Sequence, residues 1–111
     1  MDSILTSIKK LLHISADDTS FDTDVIMHIN TQLNAIVQMG AGKRGFVISS
    51  NLEKWSDFLL NADNLEAAKT YTYAKTKLVF DPPANSVHVN ALKEAADEAA
   101  WRLNHEVETG V

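Results

Sequence analysis

Two adjacent prolines constrain the fold of this chain most strongly, because they interrupt a pattern that is otherwise helical. They lie in the segment LVFDPPANS, residues 78–86, between two stretches whose apolar residues recur at helical spacing. Proline lacks a backbone N–H and clashes with the preceding helical turn, and Pro83 also pushes Pro82 toward an extended conformation. We therefore predict that a helix ends at a structural corner formed by Asp81, Pro82 and Pro83.

Helices are predicted on both sides of this corner, from about Leu65 to Phe80 and from about Val87 to Glu108. The Tyr- and Thr-rich part of the first segment could alternate as a strand, but its alanines favour a helix. Apolar and small residues cover most of its circumference, so we expect it to be the central helix of the fold. The second helix carries one continuous apolar stripe, formed by Val89, Leu92, Ala96, Ala99, Leu103 and Val107.

Two more amphipathic helices are predicted before residue 40. The first follows Asp2 or Ser3, either of which is a suitable N-cap, and the second runs from about Thr23 to Met39 and ends at Gly40. The polar connection between them is predicted to be a solvated, helix-capping turn, and its acidic residues are Asp17, Asp18, Asp22 and Asp24.

Residues 40–50, GAGKRGFVISS, depart from the helical pattern. Three glycines within six residues are followed by the β-favouring FVI, which predicts a Gly-rich loop or a short β arm. Two capping signals follow this segment. Ser50 with Glu53 predicts the start of a short helix, and Asp63 with Glu66 predicts the N-cap of the central helix.

These elements predict an all-α fold, a small bundle of about four to five helices with the loop or β arm at residues 40–50. A chain of 111 residues fits one domain, which we expect to span residues 1–111. A domain of this size buries roughly two-thirds of the surface that its unfolded chain exposes. The sequence therefore predicts one helical core.

Composition excludes several classes of protein. The chain has no cysteine, which excludes disulfides, thiolate metal sites and a cysteine nucleophile. The formal net charge is −5, whereas a free-standing nucleic-acid binder more often carries a basic surplus. No apolar run approaches the about 20 residues of a membrane span, and the N-terminal segment lacks the pattern of a signal peptide. We expect no membrane partner and a protein that is made and kept in the cytoplasm.

No residues predict catalysis or the binding of a metal or cofactor. The four histidines lack the spacing of a zinc motif, and the acidic turn lacks the glycine and glutamate of a calcium loop. The segment GAGKRG lacks the spacing of a phosphate loop, and Arg44 stands where that motif requires Ser or Thr. We therefore predict a protein that is not an enzyme and has no cofactor.

Trp101 is the most informative single residue. Counted at 100° per residue from Leu92, it lies about 180° away from the apolar stripe of its helix. Either another part of the same chain covers it, or it contacts another subunit, since tryptophan is enriched at binding hot spots. The same two alternatives apply to the apolar residues after the Gly-rich segment. The candidate interface residues are Lys43, Arg44, Phe46, Val47, Ile48, Trp101 and Arg102.

An ordered set of segments resembles the small head–tail connector, or adaptor, proteins of long-tailed bacteriophages and prophages. Nearly the whole chain is covered, and the strongest part is the helix that ends in LVFDPP followed by a helix with WRLN. The matching segments are FDTDVIMHIN (21–30), WSDFL (55–59), LEAAKTYTYAKTKLVFDPP (65–83) and WRLN (101–104).

The resemblance implies an all-α virion protein without catalytic residues. Such proteins assemble as a homo-oligomeric ring, expected to be dodecameric, beneath the portal protein at the head–tail junction. The ring extends the DNA channel, completes the head after DNA packaging and offers a docking surface to a tail-side head-completion protein. DNA passes through without sequence-specific binding, and acidic residues of the last helix or of the Asp17–Asp24 turn are candidates to face it.

A small helical DNA-binding regulator encoded by a prophage is the alternative function. A recognition helix of this kind presents Arg, Lys, Asn or Gln near its N-terminus. The helix after the corner begins instead with Val87, His88, Val89 and Asn90, and acidic residues follow. The residues of this helix therefore favour the connector.

Overall fold

The computed structural model describes the backbone of residues 3–109 and the side chains of residues 3–104. This part of the chain contains five α-helices and no β-strand, which confirms the predicted all-α fold. A single turn of 3₁₀ helix, Ala62–Asn64, precedes the fourth. The five are α1 (Ile4–Leu11), α2 (Asp22–Gln38), α3 (Trp55–Phe58), α4 (Leu65–Phe80) and α5 (Ser86–Thr109). That residues 1–111 form one domain stays a prediction.

The helix α4 lies at the centre of the bundle, as predicted. It packs against α5, α2 and α1, so its small side chains Ala68 and Ala74 and both Thr72 and Thr76 are buried. Small residues let neighbouring helices approach closely, which explains why a helix rich in Ala and Thr occupies this position. From α5, the predicted stripe contributes the buried side chains Ala96, Ala99 and Leu103, while Val107 lies outside the described side chains.

The bounds of α4 match the prediction, but its predicted cap is wrong. Asp63 lies inside the 3₁₀ helix, and the Asn61 side chain accepts a hydrogen bond from its backbone N–H at 2.9 Å. Asn61 therefore caps the 3₁₀ helix, and Asn64, the N-cap of α4, makes no side-chain capping bond because the chain enters α4 through this tighter turn. The sequence signal located the helix without identifying how the chain enters it.

The predicted capping box of Ser50 and Glu53 is wrong as a helix start. The helix α3 begins at Trp55, and the Asp57 carboxylate accepts the Lys54 N–H at 3.0 Å. The Glu53 carboxylate instead accepts the backbone N–H of Ser50 at 3.2 Å and closes a turn before the helix. The predicted pairing of Ser50 with Glu53 therefore exists, but it stabilises a loop and not the start of a helix.

At the N-terminal end of the bundle, α1 and α2 follow the predicted pattern. Ser3 caps α1, since its Oγ accepts the Thr6 N–H at 2.9 Å. The second helix ends at Gln38, and Gly40 follows it with a φ of 92°, a conformation that glycine adopts without steric cost. The predicted capping role of the acidic turn is wrong for α2, because Phe21 occupies its N-cap and makes no side-chain capping bond.

The two prolines separate α4 from α5 as predicted. Asp81 follows the last residue of α4, and its carboxylate pairs with Lys77 at 3.0 Å. The next helix is started by Asn85, whose Oδ1 accepts the Val87 N–H at 2.7 Å. The two helices pack against each other on either side of this short connection. That the corner fixes the direction of α5 against the core stays a prediction.

Candidate assembly surfaces

Residues 40–50 form a loop, which is one of the two predicted alternatives, and the other alternative, a short β arm at FVI, is not formed. Pairing is limited to an isolated bridge between Gly42 and Leu59. At the loop tip, the Phe46 N–H donates to the Lys43 carbonyl at 3.1 Å, and Gly45 has a φ of 79°. This is the geometry of a tight turn with glycine at its third position, and it leaves Lys43 and Arg44 exposed.

The base of this loop is fixed by aromatic packing. The rings of Phe46 and Phe58 lie 5.2 Å apart, and the buried Phe58 ring also covers Gly42. A Cβ on Gly42 would lie 2.3 Å from Phe58 Cζ, which is closer than van der Waals contact allows. Glycine is therefore needed at this position for close approach of the aromatic ring.

A side chain from α2 holds the far side of the loop. Asn30 accepts the Ile48 N–H at 2.8 Å through Oδ1 and donates to the Ile48 carbonyl at 2.9 Å through Nδ2. The amide thus takes the place of a neighbouring strand for one residue. This interaction explains why the β-favouring FVI is extended without forming a sheet.

The three apolar residues of the loop have different environments. Ile48 is only 2% exposed and Phe46 is half-buried, so both side chains pack within their own chain. Val47 is 62% exposed. The loop therefore displays one apolar side chain close in sequence to the basic pair Lys43 and Arg44.

Trp101 is 63% exposed, so its own chain leaves most of this side chain in solvent. Arg102, the next residue, forms an ion pair with Glu98 at 2.9 Å and lines a groove between α4 and α5. These neighbours therefore lie on different sides of the helix. A partner that covers one side of α5 would therefore not contact Trp101 and Arg102 equally.

An aromatic cluster was missed at the sequence level. Phe21 packs edge-to-face on Phe80 at 5.7 Å, and His28 lies 6.3 Å from the same ring. Phe21 precedes α2 and Phe80 ends α4, so the cluster joins two helix ends. Phe21 remains 45% exposed. The sequence feature that could have indicated this cluster is the presence of an aromatic residue at each of the two helix ends.

Lys9 is a second residue that sequence patterns did not single out. It is 4% exposed, and its Nζ donates to the Asp18 carbonyl at 2.7 Å and lies 2.8 Å from Asp22 Oδ1. A buried ammonium must be paired in this way to offset its lost hydration. Lys9 therefore attaches the acidic connection to α1 through Asp18 and Asp22. Asp17 and Asp24 stay exposed.

Three described side chains have a shifted pKa, each with a local cause. Hydrogen bonds from the Ser20 hydroxyl and N–H lower the pKa of Asp18. Burial opposes the charged form of Glu53, but hydrogen bonds from backbone N–H groups outweigh it and lower that pKa. Burial, with the Asp97 carboxylate nearby, raises the pKa of Tyr71. None of these by itself marks a catalytic group.

Other described features give no sign of a ligand centre. Among residues 3–104, no group of three or more His, Asp or Glu side chains is placed to hold a metal ion. None of the described helices is both long and apolar enough to cross a bilayer. Large apolar side chains nevertheless stay exposed, and those described are Leu11, Phe21, Met27, Val47, Leu52, Leu60, Val79, Val87 and Trp101.

The fold and these surfaces define a class, a small all-α protein whose exposed apolar side chains suit assembly with other proteins. The profile of the phage connector protein family matches residues 4–110. The chain therefore belongs to the phage connector protein family and is a structural protein of the bacteriophage virion. Comparison with curated proteins finds no match, and comparison with solved structures finds none either.

Family membership confirms the resemblance to head–tail connector proteins that the ordered segments indicated. It also favours the connector over the alternative of a DNA-binding regulator. As a connector, the chain works in contact with other head or tail proteins of the phage. The family is structural rather than catalytic in kind.

Proposed function

We propose that this protein assembles as a homo-oligomeric ring beneath the portal protein, at the head–tail junction of the virion. The ring extends the DNA channel, completes the head after packaging and presents its other side to a tail-side protein. A dodecamer is the proposed size. Before assembly, the protein is in the cytoplasm of the bacterial host.

The observation that carries this proposal is the family match across residues 4–110. The exposed side chains support it. In a ring, one patch of each subunit contacts a different patch of the next subunit, so each subunit needs two unlike patches. Trp101 on α5 and Val47 on the loop, beside Lys43 and Arg44, lie on separate elements. We propose that the loop tip and the outer side of α5 belong to different contacts.

We further propose that DNA passes through the channel without sequence-specific binding. Asp17 and Asp18 are exposed in the connection between α1 and α2, and this connection is the candidate lumen surface. Acidic groups there would repel the phosphate backbone and prevent tight attachment. A gel-shift experiment with generic duplex at low salt should show no stable complex, whereas a stable complex would contradict this part of the proposal.

Deletion of the gene in the phage or prophage tests the function directly. We expect lysates of the deletion strain to contain heads and free tails that fail to join, together with a loss of infectious particles. Expression of the wild-type protein in trans should restore tailed particles. Infectious, tailed particles from the deletion strain alone would overturn the proposal.

A further inference from the structure

Although α4 is central, one side of it is open. Its residues Glu66, Thr70, Tyr73 and Lys77 follow the alternating spacing of four, three and four positions that keeps side chains on one face of a helix. None of the four is fully buried. This open face lies between α1 on one side and α5 on the other.

Three grooves run along this face, and together they form what we call the α4 trough. One, of about 350 Å³, separates α4 from α1 at Ser7, Lys10 and Leu11. The other two, of about 230 and 390 Å³, separate α4 from α5. Glu66 and Thr70 line grooves on both sides of α4, and so does Tyr73, so the three grooves adjoin one another along this face.

The trough has a basic surplus in a chain whose net charge is −5. Its ionised lining comprises four basic side chains, Lys10, Lys69, Lys77 and Arg102, and two acidic ones, Glu66 and Glu98. Lys77 is paired with Asp81 and Arg102 with Glu98, so the surplus rests on Lys10 and Lys69. On its α5 side, the small side chains Ala91, Ala95 and Ala99 alternate with larger ones, His88, Leu92, Glu98 and Arg102. A second helix can approach such a surface closely.

The outer face of α5 has the opposite charge and a matching pattern. Its residues recur at three and four positions, all of them are exposed, and the set contains two carboxylates and no basic side chain. We call it the α5 outer stripe: Val87, Asn90, Glu94, Asp97, Trp101 and Asn104. The stripe spans eighteen residues, and its segment from Asn90 to Trp101 matches the twelve residues of the trough from Glu66 to Lys77.

We propose that the α5 outer stripe of one subunit packs into the α4 trough of the neighbouring subunit. The inference rests on the proposed ring, and it identifies the two unlike patches that such a ring needs. Opposite charge gives the contact its register, and the heptad-like spacing of both faces gives it a helix–helix geometry. Trp101 then becomes the apolar anchor, while Arg102 belongs to the receiving side.

Paired charge reversals test this contact. One variant, Glu94→Lys with Asp97→Lys, changes the stripe, and another, Lys10→Glu with Lys69→Glu, changes the trough. All four side chains are at the surface or half-buried, so the monomers should fold, as circular dichroism will check. Each variant should lower the ring fraction about tenfold at matched concentration, measured by native mass spectrometry and negative-stain microscopy.

Combining both reversals restores opposite charges and should return the ring fraction to within about threefold of wild type. Asp17→Lys with Asp24→Lys makes the same change of net charge as the stripe variant, but outside the contact, and should leave rings intact. Rings that persist in both reversed variants would overturn this contact while leaving the ring proposal standing. Failure of the combined variant to recover would also overturn it. A wild-type protein that forms no oligomer at any concentration would contradict the ring itself.

Discussion

At the scale of single residues, the most restrictive position is Gly42. The ring of Phe58 lies against its backbone, and the Phe58 carbonyl accepts the Lys43 N–H at 2.8 Å. The same ring packs on Phe46, so one aromatic side chain connects α3 to the base of the candidate interface loop. Gly45, by contrast, has no atom within 4 Å of its Cβ position, and its requirement is conformational, set by its positive φ.

We expect Gly42→Ala to destabilise the monomer by about 1–3 kcal/mol, because the new methyl group forces the Phe58 ring to move. Urea unfolding followed by circular dichroism measures the change. The effect should shrink in a Phe58→Leu background, where the clashing Cζ is absent. An equal loss in both backgrounds would show that the ring contact is not the cause.

A second residue-scale prediction concerns pH and Glu53. Hydrogen bonds from the Ser49 and Ser50 N–H groups lower the pKa of Glu53 in the folded protein, despite partial burial that raises it. A lowered folded pKa contributes stability above the unfolded value, and this contribution is lost as pH falls through the folded value. Glu53→Gln should therefore destabilise the protein near neutral pH.

The difference in unfolding free energy between wild type and Glu53→Gln should narrow between about pH 5 and pH 3, where the wild-type carboxylate becomes protonated. Glu94→Gln, on the exposed face of α5, is the matched control and should show a smaller difference at neutral pH. A constant difference between wild type and Glu53→Gln across this range would contradict the assignment.

At the scale of elements, helices were predictable and connections were not. The bounds of α4 follow from local periodicity and the proline stop, both of which are contained in the segment itself. The loop at residues 40–50 depends on Asn30, eighteen positions before Ile48, and on Phe58 from α3. Such long-range contacts override the β preference of FVI, so no local pattern could reveal them.

The candidate interface shows the same limit. The exposure of Trp101 follows from helical geometry alone, because the residue lies opposite the apolar stripe of its own helix. Burial of Ile48 requires knowledge of the partner side chain on α2, and the trough requires the placement of α1 beside α4. Sequence therefore located the outer side of α5, whereas the surface that we propose receives it appeared only in three dimensions.

The corner between α4 and α5 carries the element-scale prediction. Pro82→Ala with Pro83→Ala removes the fixed φ values that direct α5, while the core contacts of Ala96, Ala99 and Leu103 remain. We expect the variant to lose assembly more than monomer stability. Ring formation by microscopy and the urea midpoint of the dilute monomer measure the two effects separately.

Asn85→Ala is the control for this substitution. It removes the hydrogen bond from the Val87 N–H and should cost about 1 kcal/mol of monomer stability without releasing the prolines. If the double proline variant assembles like wild type, the corner acts only as a helix stop.

At the scale of the whole molecule, the bundle is shallow, measuring 40 × 34 × 20 Å. A slab of this shape exposes a broad area on each face, which explains how α4 can be central and still have an open side. The long helix α5 packs mainly on α4 and leaves its outer stripe exposed. In the described residues, the trough with its basic surplus lies along α4 and borders one side of α5, whereas the acidic outer stripe lies on the exposed side of α5.

The two tryptophans make this arrangement measurable without labels. Trp55 is fully buried and donates to the Ser7 hydroxyl at 2.9 Å, whereas Trp101 is 63% exposed. In the dilute protein, acrylamide should quench the Trp101 emission and leave that of Trp55 nearly unchanged. Assembly through the α5 outer stripe should reduce this quenching and shift the emission to shorter wavelength, because the indole leaves water.

Trp101→Phe isolates the signal of Trp55 and should show weak quenching at every concentration, which gives the baseline. Trp101→Ala should weaken assembly by about tenfold or more, as expected for loss of a hot-spot tryptophan, with little change in the monomer's urea midpoint. Wild-type rings in which Trp101 is quenched as strongly as in the monomer would place this side chain on a free surface. In that case the ring contact would have to use the exposed loop residues Lys43, Arg44 and Val47 instead.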